Sequence, residues 1–83
     1  MSEKRQVPTF RLHLPEHAQP LEGPVVCPDR TEVATNLTTI HHILKAHDAC
    51  LVYAGQWVYV PFHAIRKIER GAHRFQLPWP LNP

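Results

Sequence analysis

The chain has little of almost everything that would name a chemistry. Among 83 residues there are two cysteines, three glycines and one methionine, and no apolar run approaches the roughly 20 residues of a membrane helix. A spanning helix is therefore excluded. Cys27 and Cys50 stand 23 positions apart with no Cys-x-x-Cys pair, which reads them as reduced thiols rather than a disulfide staple. The start, MSEKRQ, is charged and no apolar run follows it, so it does not read as a secretory leader, and the expected location is cytoplasmic. Net charge is only +2 with histidine neutral, too small by itself to imply a nucleic-acid partner. Internal repeats are absent, as is any catalytic motif.

What is present is proline, histidine and a concentrated apolar middle. Nine prolines punctuate the ends, so the 43% of residues that are apolar must form a core mainly from the centre of the chain. A chain this short buries only about 60% of its unfolded surface. That leaves a single domain for which homodimerisation would be a help. Residues 1–8 read as a loose tail, residues 9–73 as the domain, and residues 74–83 as a proline and aromatic arm.

Local periodicity places the elements. Phe10, Leu12 and Leu14 alternate with Arg11 and His13, the period of a half-buried strand, and Pro15 ends it, giving a short edge strand. Val25-Val26-Cys27 allows a second, brief strand. Leu37, Ile40, Ile43, Leu44 and His47 recur at three and four, which predicts one amphipathic helix between Thr35 and Asp48, capped by Thr35 or Asn36. Leu51–Tyr53 and Trp57–Val60 flank Ala54-Gly55-Gln56 and read as a β-hairpin. After Pro61, residues 62–70 fit either a proline-started helix or a turn followed by a strand, and the second is favoured. The expected fold is α+β: one helix packed on an antiparallel sheet of about 3–5 short strands, with a proline-rich C-terminal arm.

The stretch from Leu51 to Arg70, with a strand ending at Pro61, then His63-Ala64-Ile65, then a short strand, resembles the second Sm motif of Sm-like RNA-binding barrels. The resemblance implies RNA contact at the turn, through His63 and Arg66.

Seven histidines invite a metal reading, but their spacing does not support one. His41, His42 and His47 cannot gather on one helix face, and Pro15 interrupts the His13-to-His17 pair. No metal, cofactor or catalytic residue is assigned. A cysteine beside an apolar strand is usually a small core residue, and a chain this short rarely encloses a substrate cleft. Charge is more telling. His63, Arg66, Lys67, Arg70, His73 and Arg74 fall within twelve residues, opposed only by Glu69. Near them, Trp57 and Tyr59 share one strand face, and Phe75 and Trp79 lie on the arm. Those bulky groups exceed what so small a body can hide. The expectation is a non-enzymatic regulator that binds a larger, acidic protein through Trp57, Tyr59, His63, Arg66, Lys67, Arg70, Phe75 and Trp79. An RNA- or single-stranded-DNA-binding module is the alternative. No membrane role is expected.

Overall fold

Alternating apolar residues form the first strand, β1 (Gln6–His13), in the computed structural model, which describes residues 6–76. Phe10 and Leu12 point inward and are fully buried, while Arg11 and His13 stay half-exposed. The chain returns as β2 (Leu21–Gly23), turns a corner at the buried Pro24, and continues as β3 (Val25–Val26). A loop then leads to the helix α1 (Leu37–His47), followed by β4 (Ala49–Tyr53), β5 (Trp57–Pro61), a 3-10 turn over Phe62–Ala64, and β6 (Lys67–Gln76). The result is a small α+β fold with one helix and six strands.

The strands form two antiparallel sheets, ordered β2-β1-β6 and β3-β4-β5. They meet at the Gly23-Pro24 corner, where the Tyr53 amide donates to the Pro24 carbonyl at 3.0 Å. Inner faces of both sheets share one core. Phe10 and Leu12 come from the first sheet, Val25, Cys50, Val52 and Val60 from the second, and Ile40, Ile43 and Leu44 from the helix. Ile40, Ile43 and Leu44 of the predicted stripe are buried, whereas its two ends, Leu37 and His47, are exposed. Asn36 caps it, its Oδ1 accepting from the Thr39 amide at 2.8 Å, and Asp48 closes it in the left-handed region at φ 63°.

A second cluster lies on the other face of the β3-β4-β5 sheet. Period-two alternation sends Val26 and Leu51 there, together with Val33 and, from the first sheet, Val7. Trp57 and Phe75 pack over it. A domain with two apolar faces on one sheet needs cover for both, and the ends of β1 and β6 supply it.

The structure corrects several boundaries. The first strand begins before Thr9: Val7 and Pro8 are buried within β1, Val7 opposite Phe75. A register irregularity between Pro8 and Phe10 accommodates the proline and Thr9, whose hydroxyl donates to the His73 carbonyl at 2.6 Å. The strand read as an edge is central, because β6 does not extend the hairpin but crosses to pair with β1 along most of its length. Residues 74–76 belong to β6 rather than to an arm, since the prolines begin only after them. Turn then strand is the observed course of residues 62–70. One sheet of a few strands has become two sheets of three.

Candidate functional site

The hairpin projects its residues by strict alternation. Val58 and Val60 turn toward the main core and Trp57 toward the second cluster, whereas Tyr59, on the Trp57 face, is 61% exposed. Gly55 makes the connecting turn possible with φ 83°, a conformation that a side chain disfavours. Pro61 then ends the pairing and the chain tightens into the 3-10 turn. Two hydrogen bonds fix this turn: the Phe62 amide donates to the Asp48 carbonyl at 2.9 Å, and the Ile65 amide to Phe62 at 3.1 Å. The Arg66 amide next donates to the His13 carbonyl at 2.8 Å, which starts the crossing to β1. The backbone here is anchored at three points, and its side chains are presented on a fixed frame.

Two concavities flank the turn. On one side a recess of about 270 Å³ brings Tyr59 and His63 together with Leu14, Pro15 and His17 from the β1–β2 connection. On the other a groove of about 360 Å³ is lined by His41, Phe62, Ile65, Arg66, Lys67 and Ile68. The exposed side chains of the ridge at this turn are Tyr59 and His63, which line the recess, and Phe62 and Arg66, which line the groove.

The remaining predicted residues are distributed differently. Lys67 bridges to Glu69 Oε2 at 3.1 Å, and His13 Nε2 lies 2.9 Å from Glu69 Oε1. Hydrogen bonding from His13 and then from Lys67 holds the Glu69 carboxyl below its ordinary value. Arg70 is exposed beside Phe10 on β6, further along from the ridge. Trp57 and Phe75 are only partly exposed, each packed against neighbouring side chains. Trp57 meets Tyr53 edge-on at a centroid distance of 5.1 Å, with the Arg30 guanidinium 5.2 Å from its ring centre. Phe75 packs on Tyr53 at 5.6 Å. Both rings are half-buried as internal cover. Trp79 lies outside the described residues.

Sequence reasoning missed Arg30, His41 and His17. Arg30 reaches Trp57 because its turn is tightly tied: Asp29 Oδ1 accepts from Cys27 Sγ at 2.7 Å and from the Thr31 hydroxyl at 2.8 Å, and Arg30 itself has φ 62°. Those donors pull the Asp29 carboxyl down to about 2. A signal for His41 existed in its place directly after Ile40, at the rim of the helical stripe. Nothing local marks Arg30.

No group of three or more His, Cys, Asp or Glu side chains among the described residues is arranged to hold a metal ion. Both cysteines are buried free thiols. Burial pushes the Cys50 thiol from its ordinary 9.0 up to about 12. The unfolded chain ionises this thiol first, so the folded state has its full advantage below pH 9.0 and loses it as pH rises toward about 12. We expect denaturant midpoints to fall more steeply over that window in the native chain than in Cys50→Ala. Equal slopes would contradict the burial account.

Comparison with protein-family models, with curated proteins and with solved structures gives no match in any of the three. No helix among the described residues is long and apolar enough to cross a membrane.

Proposed function

We propose that this chain is a small, non-enzymatic regulator that attaches to a larger protein with an acidic surface through the ridge of Tyr59, Phe62, His63 and Arg66. One observation carries the reading: Tyr59 is 61% exposed on a sheet whose other rings are covered, and it adjoins an anchored turn bearing exposed cations. Tyrosine and arginine are the residue types that dominate interface energetics, since each combines a large contact area with a polar end. Arg70 and Lys67 add positive potential alongside, which steers an acidic partner more than it holds it. The Pro-Trp-Pro segment around Trp79 extends the apolar contact in this reading.

Affinity capture from the native host, comparing intact protein with a Tyr59→Ala, Arg66→Glu double variant, tests the proposal. A defined set of proteins should be lost from the variant. Recovery of the same set by both would sink it.

A second reading has a specific support. The order of hairpin, 3-10 turn and return strand, with His63 and Arg66 exposed at the turn, is the local arrangement that the Sm-like resemblance implies for RNA contact. Phosphate contacts would give oligonucleotide affinity that falls steeply between about 50 and 200 mM salt. Absence of binding at the lower salt would remove this alternative.

A further inference from the structure

The groove between α1 and the start of β6 has a mixed chemistry. Its floor is apolar: Ile65 and Ile68 are half-buried and packed against the main core, and Phe62 is 39% exposed beside them. Its rim is polar, with the cations Arg66 and Lys67 on the β6 side and the His41 imidazole on the helix. Among the described residues no carboxylate lines it, and Arg66 has no ion-pair partner. Glu69, the nearest acid in sequence, is already engaged by His13 and Lys67. Leu37 lies one helical turn before His41 and is 40% exposed, so the apolar surface continues along the helix. Leu37, Tyr59 and Phe62 are the three exposed large apolar side chains among the described residues, and two of them belong to this groove or its approach.

An occupant must satisfy floor and rim together. A purely acidic surface would leave Phe62, Ile65 and Leu37 wet, and a purely apolar one would desolvate Arg66 without a partner, at a cost. A nucleobase stacks best on ring faces, and only one of the three floor side chains is a ring. Resting on the protein-binding reading above, we infer that this groove is the docking site for an acidic segment of the partner that carries one bulky aliphatic or aromatic side chain. That side chain lies on Phe62, Ile65 and Ile68. Flanking carboxylates face Arg66 and His41, and Arg66 accepts them as a planar, two-pronged donor.

The test uses the full chain and a short synthetic peptide in which one leucine is flanked on both sides by aspartate and glutamate. Backbone amide NMR should show shifts concentrated over Phe62–Ile68 and around His41. Replacing the peptide's leucine with glycine, or its acids with lysine, should each weaken binding roughly tenfold or more, as should Arg66→Glu or Phe62→Ala in the protein. Both protein positions are exposed, so neither variant is expected to unfold the domain. The inference is overturned by shifts centred elsewhere, by equal binding of the lysine peptide, by no shifts at about millimolar peptide, or by an oligouridylate that fills the same groove more tightly. If the peptide fails while the Tyr59→Ala, Arg66→Glu variant still loses its native partner, the groove assignment falls and the binding reading survives.

Discussion

Gly23→Ala should destabilise the fold by about 3 kcal/mol or more, a large part of the roughly 4–12 kcal/mol expected for a domain of this size. The reason is space rather than backbone freedom. Gly23 ends β2 at the corner where the two sheets meet, opposite Phe10, and a Cβ there would drive into the carbonyl group of Tyr53. That carbonyl is backbone, so no side chain can swing aside. Relief requires moving β4 away from the corner, which breaks the bond from the Tyr53 amide to Pro24 and opens the core on both sides. Gly55 makes an informative contrast. Open space surrounds it, but its φ of 83° disfavours a side chain, so Gly55→Ala should cost only about 1–2 kcal/mol. Chemical denaturation followed by tryptophan fluorescence separates the two. An unchanged midpoint for Gly23→Ala would mean that the sheets do not approach at this point.

Phe10→Ala should lose about 3–5 kcal/mol, the range for removing a buried aromatic side chain and leaving part of the cavity unfilled. Phe10 is fully buried in the main core, and its backbone pairs with both neighbours, Gly23 on β2 and Arg70 on β6. Its ring therefore sits where both sheets and the helix converge, and a collapse from one side would strain the others. Tyr59→Ala is the matched control, because an exposed ring outside any such network should change stability by no more than about 0.5 kcal/mol. If Phe10→Ala and Tyr59→Ala shift the midpoint equally, the division between core and binding surface drawn here is wrong. Together the two variants also protect the functional test. Loss of a partner by a Tyr59 variant is meaningful only if the domain remains folded.

How much of this was legible beforehand depends on the range of the interaction. The helix was readable because its apolar positions recur every three or four residues, and each such residue reports its face through its near neighbours. Likewise, Gly55 between two apolar runs announced the hairpin. The ridge was partly readable: Tyr59, His63 and Arg66 stand close in sequence and remain close in space. The partial cover of Trp57 and Phe75 was not readable, for the opposite reason. Their rings are partly covered by Arg30 and Val7, which no local pattern ties to them, and by Tyr53, the hairpin partner of Trp57 but distant in sequence from Phe75. The groove escaped notice because His41 and Phe62 come from separate elements.

By itself, then, the order of residues determined the local elements, the buried stripe of the helix, and a surplus of bulky and basic groups toward the C-terminal half. Tertiary structure alone decided that β6 crosses to β1, that this crossing brings Phe75 onto Tyr53 and the second cluster, and that Tyr59 and Phe62 stay exposed. Periodicity records which way a side chain points along its own strand or helix. It carries no record of which distant strand will arrive to cover it, since that is settled by competition among all apolar faces for a limited amount of cover.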